Sequence, residues 1–347
     1  MEKELEKKIG QMLLIGFRGL ELNDKSAISE DIINERIGGL ILFDIDVELG
    51  GSKRNIESPS QLRKLIGQIK SYSKTPLFIS IDQEGGLVNR LKGEYGFPQT
   101  VSQKTLGDLN REDETRYWAS ITANCLSEMG FNLNFAPAVD LEINPENPVI
   151  GKKERSFSSN PEIVTKHAEI IIEGHKKKNI ICCIKHFPGH GSSLEDSHFG
   201  MVDVSKLWNE IELIPYKKLI SLKQVDMIMT AHIFNKNLDE KYPATLSKNI
   251  LTGMLRESLA FNKVIMTDDL AMKAISQNFG LEKSIELAIN AGADILLFAN
   301  NSGFDQDIAK KAISTIKKLL KAGKISEERI EESFNRIMEL KKKMLIF

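Results

Sequence analysis

Four of the chain's six histidines lie between positions 186 and 232, and three of those fall inside KHFPGHGSSLEDSH, at 186, 190 and 198. They alternate with Gly189, Gly191, Ser192 and Ser193. That composition reads as a mobile loop over a pocket. In Asp196-Ser197-His198 a carboxylate stands two residues from an imidazole. From there it can reach a ring nitrogen, set the tautomer and raise the pKa. Such a histidine donates a proton near neutral pH; a solvated turn is the bland alternative for the same pair. Further polar residues end other apolar runs: Asp82-Gln83-Glu84-Gly85-Gly86, Lys185-His186, Thr230-Ala231-His232, Thr267-Asp268-Asp269 and Asn300-Asn301. Adjacent residues leave a strand in different directions. Asp268, at the last strand position, is therefore expected to face a bound substrate, and Asp269 to cap the helix that follows.

Two chemistries suit these groups. Glycoside hydrolysis with retention needs a carboxylate nucleophile under the anomeric carbon and a proton donor beside the leaving oxygen. Metal-assisted hydrolysis would use His186, His190, His198 and Asp268 as ligands. The H-x3-H-x7-H spacing in a glycine-rich loop supplies no rigid ligand frame, which counts against metal.

Groups so far apart in sequence need a scaffold that gathers strand ends. Eight apolar runs recur, at 11–17, 39–43, 76–82, 132–140, 180–186, 226–232, 263–268 and 293–300. Several, such as IICCIKH and ADILLFAN, are apolar on both faces, as a helix-covered parallel sheet requires. Helix-period stretches separate them, at 60–72, 111–129, 207–222, 281–291 and 305–321, with three more opened by candidate caps at Asn160, Ser247 and Ser326. Strand–helix alternation repeated eight times predicts an α/β fold, a single (β/α)8 TIM-type barrel, with catalytic groups at the C-terminal strand ends. A minimal barrel takes about 250 residues. The surplus is expected in long βα loops, mainly after runs three, four and five. IGFRG after the first run is a poor phosphate-loop fingerprint, which disfavours an open doubly wound sheet.

The 347 residues, 41% hydrophobic and 27% charged, show no linker or low-complexity stretch, so one domain over 1–347 is expected. Forty-seven Lys+Arg against 48 Asp+Glu leave a net charge of −1. No bulk field draws nucleic acid or anionic lipid. No apolar run approaches the roughly 18 residues of a membrane span. The stretch 12–17 is too short for a secretory signal core. Cys125, Cys182 and Cys183 read as buried reduced thiols of a cytoplasmic protein.

KHFPGHG followed by EDSH, with IDQEGG upstream and IMTDDLAM downstream, resembles glycoside hydrolase family 3, and within it the single-domain β-N-acetylhexosaminidases. IGQMLLIGF, IGGLILF, NFAPAVDLEINPENPVIG, RSF, MTAH and AGADILLFAN follow in the same order, so the likeness spans about residues 9–345. The resemblance implies that Asp268 is the nucleophile of a covalent glycosyl-enzyme. It implies that His198, paired with Asp196, is the acid/base. Asp82, Arg90, Arg155, Lys185 and His186 would hold the terminal sugar's hydroxyls, and their types suit it: carboxylates accept from hydroxyls, Arg and Lys donate. His232 and Met272 match positions around the nucleophile, and His190 a structural position in the loop. The implied substrate is a carbohydrate, a terminal β-linked N-acetylglucosamine from peptidoglycan fragments (GlcNAc–anhydromuramyl), with no cofactor, no metal and no obligate protein partner. A glycoside phosphorylase on the same sugar is the alternative, because a histidine repels an incoming phosphate less than a carboxylate does.

Three departures from the family pattern carry expectations. Position 87 is Leu where Arg is common. GKKERSF has about two extra residues, which would displace the loop that carries Arg155. Met201-Val202 replaces Leu-Pro, which would leave the end of the acid/base loop less restricted.

Overall fold

The computed structural model describes residues 2–197, 199–301 and 303–344. Each of the eight apolar runs carries a strand: β1 Leu13–Gly16, β2 Gly39–Ile41, β3 Phe78–Ile81, β4 Leu133–Asn134, β5 Ile181–Phe187, β6 Met227–Thr230, β7 Val264–Met266 and β8 Leu296–Phe298. All pairings are parallel and neighbours follow chain order, with β8 beside β1. A parallel bridge from Met266 to Ile295 links β7 to the run of β8 and brings the ring to closure. This is the (β/α)8 barrel that the alternation predicts. It is set by burial on both strand faces: Phe78, Ile79 and Ile81 of β3, and Ile228 and Met227 of β6, are fully enclosed. Each such side chain contributes roughly 1.5–3 kcal/mol on leaving water.

The surrounding helices begin where their caps dictate. Asn160 Oδ1 accepts from Glu162 N at 2.9 Å and opens the helix Pro161–Lys176, here α1. Ser326 Oγ accepts from Arg329 N at 3.2 Å and opens Glu327–Met344, here α2. Ser247 Oγ accepts from Ile250 N at 3.1 Å ahead of a wide-turned helix, Asn249–Ser258. The stretch expected at 281–291 is the second half of a longer element, Lys273–Ala291, bent at Gly280, whose φ of 67° is non-helical. The glycine breaks the backbone geometry without ending the element.

The surplus length lies where expected, after β3, β4 and β5. The stretches 135–160 and 188–193 are packed on each other over the C-terminal ends of the strands. Asn147 Nδ2 donates to His190 O (2.7 Å), and Asn144 Nδ2 to Ser193 O (2.9 Å). The opposite end of the barrel is sealed by α2. Arg329 and Arg336 bond the buried Asp294, and Lys341 donates to Gln11 Oε1 and Gly38 O. The three cysteines are free and buried. Among the described residues no helix is long and apolar enough to cross a membrane.

Candidate active site

The C-terminal mouth of the barrel holds one connected set of charges. Lys185, near the end of β5, is almost fully enclosed and bonds Asp82 Oδ1 at 2.7 Å and Glu84 Oε1 at 2.6 Å. Arg155 meets Glu84 with two parallel bonds of 2.8 Å, from Nε to Oε2 and from Nη2 to Oε1. Such a fork fixes the guanidinium's plane as well as its position. Arg155 Nη2 also donates to His186 Nε2 at 3.1 Å. Because arginine only donates, Nε2 is the bare nitrogen. The imidazole proton then sits on Nδ1, which faces Asp140 Oδ2 at 2.7 Å. Asp140 Oδ1 accepts from the backbone N–H of His186 and of His190. Five loops and strand ends are thereby tied through two buried carboxylates, Glu84 and Asp140.

Exposure rises outward along the set. The Glu84 side chain is 1% exposed, Asp82 18% and Arg90 25%, so the buried pairs form the floor and Asp82 and Arg90 the open side. Arg90 lies 3.9 Å from both Asp82 Oδ2 and Asp44 Oδ1, close enough for attraction and too far for hydrogen bonds. Its guanidinium stands over the Phe43 ring at 5.6 Å. Arg90 therefore keeps donor capacity for a ligand. Burial alone would raise the Glu84 carboxyl, but Arg155 and Lys185 outweigh it and hold the group well below the usual carboxylate range. Burial likewise works against the Lys185 charge, and Asp82 and Glu84 reverse that. Glu84, Lys185 and Arg155 are therefore charged at neutral pH.

Asp268 follows β7. It is half-buried, its N–H lies 3.4 Å from Thr230 Oγ1, and its Oδ1 accepts from Asp269 N at 2.8 Å. Its charge, with those of Lys185 and Asp82, acts on the enclosed Cys183 thiol of β5, which burial raises well above its ordinary pKa. Asp268 thus lies at the same C-terminal end of the barrel as Lys185 and Asp82. Asp269 turns elsewhere: its Oδ1 accepts from Ala271 N and Ala299 N, which braces the turn and ties it to β8. It braces that turn instead of capping the helix. His232 lies beneath, with Nδ1 2.8 Å from Thr245 Oγ1 and Nε2 2.9 Å from Asp269 O.

The structure gathers Asp82, Arg90, Arg155, Lys185 and His186 into one network. Asp196 is half-buried on the segment after β5, where its carbonyl accepts from Phe199 N at 3.0 Å. His198 lies outside the described residues. Two sequence expectations are corrected. The extra residues before Arg155 do not displace it, since Arg155 N donates to Ile150 O at 3.0 Å and its side chain reaches the floor. The Met201-Val202 stretch is not loosened: Val202–Asp203 pairs in parallel with Ile233–Phe234, and Val204 N donates to Phe234 O. Leu87 is exposed in the turn between Gly85 and Val88.

Sequence reasoning assigned no role to Glu84, Asp140, Asp44 or Glu212. Glu84, Asp140 and Asp44 lie in or beside the quoted motifs, and Glu212 lies outside them. The signal that could have found Glu84 and Asp140 is an acid at the end of one apolar run while another run contains Lys185, since buried charges need partners. As for metal binding, His186 is engaged by Asp140 and Arg155, and His190 Nδ1 by Ser193 Oγ at 2.8 Å. Among the described residues no three His, Cys, Asp or Glu side chains group as ligands.

Comparison with known proteins agrees with this fold. The glycosyl hydrolase family 3 N-terminal domain matches residues 4–340. "Beta-hexosaminidase A" of Pseudoalteromonas piscicida is 34% identical over 347 residues, covering 91% of this chain and 55% of that protein. "Beta-hexosaminidase" of Tolumonas auensis is 34% identical over 294 residues, 83% of each chain. A glycoside hydrolase family 3 β-N-acetylglucosaminidase from Paenibacillus sp. superposes with a TM-score of 0.89 at 34% identity, over 98% of this chain and 62% of its own. The chain thus spans little more than half of the first of these relatives and most of the second.

Proposed function

Since the chain belongs to glycosyl hydrolase family 3, we propose that it is a retaining β-N-acetylhexosaminidase acting on terminal β-linked N-acetylglucosamine. What supports this reading is the Asp82–Lys185–Glu84–Arg155 floor at the barrel mouth, with the half-buried Asp268 following β7 at the same end. A pyranose lying on that floor offers hydroxyls to Asp82 as acceptor and to Arg90, Arg155 and Lys185 as donors, with Glu84 holding Arg155 in plane and His186 bonded beside it.

With the sugar so held, the Asp268 carboxylate attacks the anomeric carbon as the glycosidic C–O bond breaks. His198, oriented by Asp196, gives its proton to the departing oxygen. The neutral imidazole then takes a proton from water. The resulting hydroxide equivalent displaces Asp268 from the anomeric carbon and releases the sugar with retained configuration. Residues 1–347 act as one catalytic barrel domain. The substrates we favour are cytoplasmic peptidoglycan fragments bearing GlcNAc on anhydromuramic acid, the setting that the three reduced thiols suit.

A panel of 4-nitrophenyl glycosides tests the reading. The N-acetylglucosaminide is expected to be hydrolysed well ahead of the glucoside and xyloside. Asp268→Ala is expected to lower kcat by about 10³-fold or more, as loss of a nucleophile does elsewhere. In phosphate buffer the product should be free sugar. Sugar 1-phosphate as the main product would favour the phosphorylase instead. Near wild-type hydrolysis by both Asp268→Ala and His198→Ala would overturn the assignment.

A further inference from the structure

The segment that carries Asp196 and His198 leaves β5 through His186-Phe187-Pro188-Gly189-His190-Gly191-Ser192-Ser193. Its glycines suggest mobility, but their surroundings show the opposite. A Cβ on Gly189 (φ 119°) would fall 2.6 Å from the Glu212 Cβ, and one on Gly191 would fall 1.7 Å from Leu141 O. Both positions are glycine because the chain is pressed between two neighbours. Pro188 O accepts from Trp208 Nε1, His190 N donates to Asp140, and Gly191 O accepts from Asn144 N and Asn147 Nδ2. Residues 188–193 are a clamped foot. Beyond it Leu194 and Phe199 are 62% and 76% exposed, and Gly200 has nothing within 4 Å of where its Cβ would stand. Any swing of the segment must pivot after Ser193 and before the pairing at Val202.

Glu212 closes that clamp from the far side. It sits in the turn Glu210–Leu213, which Asn209 Oδ1 caps by accepting from Ile211 N. Its carboxyl is 1% exposed, and Oε2 accepts from Gly191 N at 2.8 Å. Ser192 also bonds this carboxyl, and burial opposes its charge. An apolar residue of similar size would avoid the cost of burying an acid, yet could not hold the Gly191 N–H. The mechanism above gives Glu212 no part.

We propose that Glu212 is a positioning residue for proton transfer: by holding Gly191 against the Asp140–Leu141 backbone it fixes the pivot from which Asp196 and His198 reach the leaving oxygen. This rests on the acid/base reading of His198. It adds that the aim of that group is set by a carboxyl on the element after the loop.

The test compares two leaving groups. A 2,4-dinitrophenyl N-acetylglucosaminide departs without a proton, whereas the phenyl glycoside needs one. His198→Ala calibrates the assay and should impair the phenyl substrate selectively. Glu212→Ala, and Glu212→Asp, which draws the acceptor back by one methylene, should do the same. A misplacement near 1 Å costs about 10²-fold, so that is the loss in kcat/KM expected for the phenyl glycoside, with the dinitrophenyl substrate nearly spared. Glu212→Gln, which keeps an acceptor for Gly191 N, should stay close to wild type on both. Thermal unfolding of each variant checks the fold, and Glu212→Asp remains decisive if Glu212→Ala does not fold. Folded Glu212 variants that lose both substrates equally, or neither, would overturn the proposal. Equal loss of both in His198→Ala would instead overturn the acid/base reading beneath it.

Discussion

Glu84 shows what one buried charge does for the site. It is a carboxylate with 1% of its side chain exposed, and it serves two cations at once, Arg155 through a fork and Lys185 at 2.6 Å. The attraction outweighs desolvation, since the carboxyl stays ionised far below its ordinary pKa. Removing one member of such a set leaves the others buried and uncompensated, at about 3–5 kcal/mol. Glu84→Gln should therefore lose several kcal/mol in chemical denaturation and raise KM, because Arg155 and Lys185 no longer keep their plane and direction. Unchanged stability and KM would mean that the floor is not set by Glu84. The sequence made Asp82, Arg90, Arg155, Lys185 and His186 visible through the family motifs they stand in. Glu84 and Asp140 stood in the same motifs, but a residue that acts by holding another leaves no chemical mark of its own. Their pairing, across 71 and 46 positions, exists only in three dimensions.

Among the elements, α1 reaches the site through a histidine that sequence reasoning did not single out. His175 is enclosed, its Nδ1 lies 2.9 Å from Ile171 O, and its Nε2 lies 3.0 Å from Asn134 Nδ2. A carbonyl accepts and an amide NH2 donates, so the ring is neutral with its proton on Nδ1. Asn134 in turn accepts from Gln83 N and donates to Gln83 O, next to Asp82 and Glu84. Burial lowers the His175 pKa to about 4 from an ordinary 6.5. A base with a depressed folded pKa favours the fold fully above its unfolded value and loses that as pH falls toward the folded one. The window is about pH 6.5 down to 4, and the loss is roughly 2–3 kcal/mol at one pKa unit per 1.36 kcal/mol. Burial also raises the Glu212 carboxyl to about 7. That runs the other way, with the fold favoured at low pH and the contribution lost as pH rises through 7. Unfolding free energies from pH 7 to 4.5 should thus fall less steeply in His175→Gln than in wild type. Equal slopes would contradict the neutral assignment. Strands were readable because two-sided burial writes itself as unbroken apolar runs. The clamped loop was not. Glycine spells both freedom and close approach, and only the positions of Glu212 and Leu141 distinguish them.

Over the whole molecule the two ends of the barrel divide the work. The end beneath the strands is closed by α2, whose Arg329, Arg336 and Ser333 converge on Asp294 while Lys341 bonds Gln11 and Gly38. The opposite end carries half-open carboxylates, long loops and donors left for a ligand. This polarity follows from a parallel barrel, in which every strand delivers its last residue to the same face. It is why strand ends far apart in sequence could be nominated together without coordinates. The register between them, and the loop contacts that hold them, needed the fold. The proposed covalent bond between Asp268 and the sugar can be trapped with a slow-turnover fluorinated N-acetylglucosaminyl fluoride, followed by mass spectrometry of the digested protein. A glycosyl adduct mapped to Asp268 in the TDDLAM peptide is the expected result; an adduct on another residue, or none while substrate is turned over, would contradict it.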